Sequence, residues 1–91
     1  MHAIQQQVQP SLSELKTQRD AFTVQILVQT FYDKPLPYQI GCLAAEVNRG
    51  FGNLQRAMRQ NAKSYIWTCV KTFERNHNRS PSLLELISFV S

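Results

Sequence analysis

Few side chains in this 91-residue chain are spaced for reactive chemistry. Cys42 and Cys69 stand 27 positions apart among apolar neighbours. Two such cysteines read as reduced core thiols, with a disulfide between them as the alternative. Neither pairs with His2 or His77 at the spacing of a zinc site, so no metal is expected. No nucleophile, base and orienting residue can be assembled, and no Gly-Lys-Ser/Thr loop is present to cradle a nucleotide. The chain is therefore not read as an enzyme, and no cofactor is expected. What remains is positive charge, and it is unevenly placed. Residues 49–79 carry Arg49, Arg56, Arg59, Lys63, Lys71, Arg75 and Arg79 against Glu74 alone, whereas residues 1–48 carry three basic and four acidic side chains. A one-sided cationic excess suits a polyanion, because each Lys or Arg set against a phosphate releases condensed counterion. The competing reading is a solvated face that keeps the protein dispersed. Tyr65 and Trp67 could stack on bases, but aromatics at helical spacing read first as core. His77, between Arg75 and Arg79, could touch a phosphate, although a solvated loop histidine is the simpler reading.

Helices must position these groups. Ninety-one residues with 43% hydrophobic content suit one globular domain, expected over residues 11–91 behind a flexible tail at 1–10. No apolar run approaches the ~20 residues of a membrane span, and Met1–Gln7 lacks the charged start and apolar middle of a secretory signal. A cytoplasmic protein with no membrane partner is the expectation. Ser11 and Glu14 have the spacing of a capping box, which predicts a helix that runs to about Tyr32 or pauses near Asp20. Val24, Leu27, Val28 and Phe31 form its buried stripe. Pro35 and Pro37 stop it. A second helix over about 38–48 turns Ile40, Leu43, Ala44 and Val47 inward. Gly50 and Gly52 then permit a turn at positive φ. A third helix, about 52–60, directs Leu54, Ala57 and Met58 inward. Residues 61–64 are read as a break before a helix carrying Tyr65, Trp67, Cys69, Val70 and Phe73. Ser82 and Glu85 form a second capping box for the last helix. No segment alternates with a period of two, so the fold class is an all-α, compact bundle of four to five helices. Pro10–Leu15 and Pro81–Leu86 echo one another, as do Val28–Phe31 and Val70–Phe73. A duplicated helix pair and coincidence among common helix-start residues both account for this.

Residues 40–59 carry the motif. Leu43, Ala44, Val47 and Asn48 supply the apolar pair, the small crossing residue and the turn, and Leu54 and Ala57 fall eleven and fourteen positions after Leu43. This stretch resembles the bacterial helix-turn-helix regulator class over roughly a fifth of the chain. It departs from that pattern at Arg49, where an apolar residue usually closes the turn; Phe51 is the candidate replacement. The second echo, Pro81–Leu86, is similar to the start of the second helix in winged-helix repressors of the SOS type, but no recognition helix follows it.

The resemblance implies a sequence-specific, double-stranded DNA-binding regulator, of transcription or of a mobile element, with helix 52–60 in the major groove. Asn53, Gln55 and Arg56 would read bases, since Arg matches guanine and Asn or Gln matches adenine. Arg49, Arg59, Gln60 and Lys63 would hold phosphates. A homodimer is expected, through the apolar surface of residues 83–90 or of the 22–31 helix. The alternatives are a protein-interaction module or inhibitor that sets its basic face on an acidic partner, and a component that binds DNA without sequence choice.

Overall fold

Ser11 opens the first helix as its sequence requires. In a computed structural model that describes residues 10–91, the Ser11 hydroxyl accepts from the Glu14 amide at 3.1 Å and the Glu14 carboxylate accepts from the Ser11 amide at 3.4 Å. Nearly all of the expected N-terminal tail lies outside those residues; of residues 1–10 only Pro10, exposed, is described. Helix α1 runs unbroken over Leu12–Phe31, with no pause at Asp20. It is followed by α2 (Leu36–Asn48), α3 (Arg56–Arg59), α4 (Ala62–His77) and α5 (Leu83–Ser88), with no strand among the described residues.

The prolines end α1, yet they also start α2 two residues earlier than expected. Pro35 is the N-cap and Pro37 sits in the first turn, where the missing amide hydrogen would have had no intrahelical partner. Gln39, although polar, is 7% exposed. Its side-chain amide donates to the Phe31 carbonyl at 2.8 Å and to that of Tyr32 at 3.3 Å. It thereby gives the Tyr32 carbonyl a donor and adds a second to that of Phe31, which also accepts from the Lys34 amide at 3.1 Å.

Helix α2 lies at the centre, packed chiefly on α4 and also on α5, α1 and α3. Its Ile40, Leu43, Ala44 and Val47 meet Leu27 of α1, Ala62, Ile66 and Val70 of α4, and Leu83, Leu86, Ile87 and Val90 of the C-terminal segment. Each of the four α2 positions expected inward is buried. Ser82 and Glu85 close the second capping box. Helix α4 ends at Asn78, which takes φ 55°, the left-handed conformation that asparagine tolerates.

Helix α2 ends in a Schellman motif. The Gly50 amide donates to the Val47 carbonyl at 2.9 Å and the Phe51 amide to that of Glu46 at 3.0 Å. Gly50 has φ 113°, and Phe51, 5% exposed, enters the core. Phe51 thus seals the turn in place of Arg49. Beyond it the chain is pinned on two sides. The Gly52 amide donates to Asp20 Oδ2 at 3.2 Å, and the Asn53 amide donates to the Val90 carbonyl at 2.8 Å. Lys16 Nζ, paired with Asp20 at 2.6 Å, donates to the carbonyls of Gly50 and Gly52 at 3.2 and 2.7 Å.

Those contacts correct the expected third helix. With Gly52 at φ 82° and both amides directed away from the local chain, residues 52–55 are not helical. The element shrinks to the single turn Arg56–Arg59, capped by an extended Gln55. Leu54 is half-buried, but Ala57 and Met58 are exposed rather than inward. The expected break at 61–64 shrinks as well, because Ala62 already begins α4 and is buried.

Candidate nucleic-acid interface

The turn after Phe51 scatters the three side chains expected to read bases. Asn53 is exposed but sits in the pinned loop, where it lines a concavity with Lys16, Asp20 and Ser91. Gln55 and Arg56 lie at the start of α3, both exposed. They are neighbours in an extended-to-helical step and do not share a helix face with Asn53.

Three of the four expected phosphate ligands do converge. Arg59, Gln60 and Lys63 line one open concavity of about 280 Å³ between α2 and the α3–α4 corner, together with Asn48. Its floor is Gly41, Ala44, Ala45 and Ala62, small side chains that let a backbone approach closely. Two cations and two amides over such a floor offer several N–H donors to an oxyanion and no carboxylate to repel it.

Arg49 is elsewhere. Its guanidinium lies 2.6 Å from Glu46 and faces a second concavity shared with Arg19, Asp20 and Phe51. The hydrogen bond to Glu46, and then that carboxylate's charge, raise the Arg49 pKa above its ordinary value. Arg79 is likewise engaged. It forks onto Glu85 with two bonds of 2.9 Å and stands 4.8 Å from the centre of the Phe73 ring. That bond to Glu85 raises the Arg79 pKa. In return the Arg79 guanidinium, followed by the Ser82 amide, lowers the Glu85 carboxyl to about 2.

Among the described residues, Arg56, Arg59, Lys63, Lys71 and Arg75 have no carboxylate partner within ion-pair distance. All five lie on α3 and α4, between residues 56 and 75. Lys71 and Arg75 extend the charge along the exposed side of α4, beside Ser64 and Thr68. Their i, i+4 spacing was visible in the sequence, but their part in this surface follows only once α4 is known to begin at Ala62.

Comparison with family models, curated proteins and solved structures finds no match for this chain.

The remaining candidates settle into packing roles. Tyr65 and Trp67 are half-buried against the core. The neighbouring Cys69 thiol, chiefly through the charge it would carry when ionised, and burial after it push the Tyr65 phenol above its usual range. Cys42 and Cys69 are free thiols, each half-buried. His77 ends α4 rather than lying in a loop, and its ring is 4.2 Å from that of Phe73. No group of three His, Cys, Asp or Glu side chains converges to hold a metal ion among the described residues, and no helix there is long and apolar enough to cross a membrane.

Proposed function

We propose that the protein binds double-stranded DNA as a small regulator, two copies to a site, with the basic side of α3 and α4 against the backbone. The observation that carries this reading is the run of five cations without carboxylate partners, Arg56 through Arg75, beside an open polar concavity. Arg59, Gln60 and Lys63 are the phosphate ligands, and Lys71 and Arg75 continue the track. Gln55 and Arg56 begin α3, the position from which a helix-turn-helix reads base edges. They are the base readers in this proposal, and Asn53 has at most a supporting place at the edge.

Fluorescence anisotropy on random and on selected duplexes, titrated with salt, tests the proposal. Lys63→Ala is expected to weaken binding to every sequence and to lessen the salt slope by about 1. Arg56→Ala is expected to cost about 1–3 kcal/mol on the selected duplex and to relax its preference. Equal losses on all duplexes would remove base reading from Arg56, and no duplex binding at low salt would end the proposal. The single turn of α3 favours a second reading, because four residues span only ~6 Å of helix, less than a groove-filling reader usually offers. In that reading the same basic face binds an acidic protein partner, and the absence of duplex binding is its signature.

A further inference from the structure

Helix α1 is apolar on two sides, and only one of them is used. Val24, Leu27, Val28 and Phe31 face the core. Roughly 150° around the helix, at 100° per residue, lie Leu12, Leu15, Phe22 and Ile26. They are 86%, 46%, 62% and 45% exposed. Their intervals of three, seven and four residues are those of heptad a and d positions, with Arg19 and Gln29 filling the two vacancies. Nothing among the described residues covers this stripe.

The geometry points to a second copy of this chain as the occupant, through antiparallel pairing of α1 with α1. This deepens the two-copy part of the function proposed above by naming the contact. Composition argues for self-pairing. The stripe is flanked by Gln18, Thr23 and Gln25, neutral groups that both donate and accept and so complement themselves. A lipid surface would call for a cationic flank, but Lys16 is turned inward to Asp20 and the Gly50 and Gly52 carbonyls. That leaves Arg19 as the stripe's one charge.

Charge also sets the direction. A parallel, in-register pair would place Arg19 against Arg19. An antiparallel pair crossing between Asp20 and Ala21 instead sets Leu15 on Ile26 of the second copy, Leu12 on Gln29 of the second copy, and Arg19 on the Phe22 ring of the second copy. Each contact occurs twice. Arg19 now lies beside Gly50 without a carboxylate partner, so turning onto that ring breaks no ion pair. The seam is ~26 Å long. With its flanks it buries roughly 1,000 Å² in total, the lower bound for a specific pair. An interface at that lower bound makes a weak dimer, in exchange with monomer as the chain is diluted.

Sedimentation equilibrium of the full chain without DNA tests this independently of the DNA reading. Wild type should approach twice the chain mass as concentration rises. Phe22→Lys should weaken the dimer at least tenfold while circular dichroism keeps its helix signal. Leu84→Lys, on the equally exposed face of α5, should behave as wild type. Should Phe22→Lys lose its fold, Ile26→Lys carries the same expectation. Arg19→Gln should weaken the dimer about 5- to 30-fold through loss of two cation–π contacts. Tightening by Arg19→Gln would mean parallel pairing and overturn the register. A wild type that stays monomeric through about 100 μM, or a dimer abolished by Leu84→Lys and not by Phe22→Lys, would overturn the interface.

Discussion

Replacing Gly52 with alanine tests whether the pinned turn holds the domain together. A Cβ at Gly52 would lie 2.3 Å from the Val90 carbonyl oxygen and 3.2 Å from its carbon, both backbone atoms. Gly50 gives a control in the same turn, because its φ of 113° is also positive but its nearest obstacle is Arg19 Nη2 at 3.9 Å. Conformational strain costs about 1–3 kcal/mol at either position. At Gly52 the Val90 carbonyl must also move. That breaks the 2.8 Å bond from the Asn53 amide, at about 1–3 kcal/mol if the amide is left unpaired. It also lifts Val90, 0% exposed, partly out of the core, at a cost on the order of 1 kcal/mol. Gly52→Ala should therefore cost about 3–7 kcal/mol, against a total of about 5–13 kcal/mol for a domain of this length. Urea unfolding followed by Trp67 fluorescence measures both variants. The expected result is a midpoint for Gly52→Ala well below that of Gly50→Ala, with unchanged slopes. Equal losses would show that strain alone matters and that the close approach to Val90 is not stabilising.

Two further outcomes follow from the same contacts. Glu85, held near pH 2 by Arg79 and Ser82, has a lower pKa folded than unfolded, so its stabilisation is present above about pH 4.5 and lost as pH falls through about 2. Glu85→Gln should lower the urea midpoint at pH 7, and the gap from wild type should close across that acidic window; a gap independent of pH would refute the pairing. Lys16→Met should cost about 1–3 kcal/mol by leaving the Gly50 and Gly52 carbonyls without their donor, and it should speed amide exchange at Gly52 and Asn53. Unchanged exchange there would show that Lys16 does not fasten the turn.

The starts of α1 and α5 and the central core were legible because each is written locally. Ser11 with Glu14 and Ser82 with Glu85 specify their caps within four residues, and the 3–4 spacing of Ile40, Leu43, Ala44 and Val47 marks a face whatever lies opposite. The third helix was misread because its fate depends on distant groups. Residues 52–60 contain no proline, yet the Gly52 and Asn53 amides bond to Asp20 and Val90, 32 and 37 positions away in sequence. Local pattern carries no sign of such partners. The same is true of Gln39, whose burial depends on carbonyls at the end of α1. Of the candidate site, Arg59, Gln60 and Lys63 were found together because they straddle one helix corner. Arg49 was lost to Glu46, three residues back, a pairing that helical spacing permits.

Ion pairing limits what the basic segment can do. Counted along the sequence, residues 49–79 offer seven cations, but Arg49 and Arg79 are committed to Glu46 and Glu85. A polyanion would have to compete with both carboxylates for them, so five remain at no such cost. With Arg56 reading bases as proposed, counterion release at about 0.9 per phosphate would set a salt slope near −3.6 for each chain on duplex DNA from Arg59, Lys63, Lys71 and Arg75, rather than the −5.4 expected if Arg49 and Arg79 also met phosphates. Arg49→Ala and Arg79→Ala should leave that slope nearly unchanged, whereas Arg59→Ala and Lys63→Ala should each lessen it by about 1. If Arg49→Ala lowers the slope as much as Lys63→Ala does, the contact surface reaches around the end of α2 and the Glu46 pairing does not withhold Arg49 from DNA; if Arg49→Ala lowers it and Lys63→Ala does not, the α3–α4 side is not the face presented to DNA.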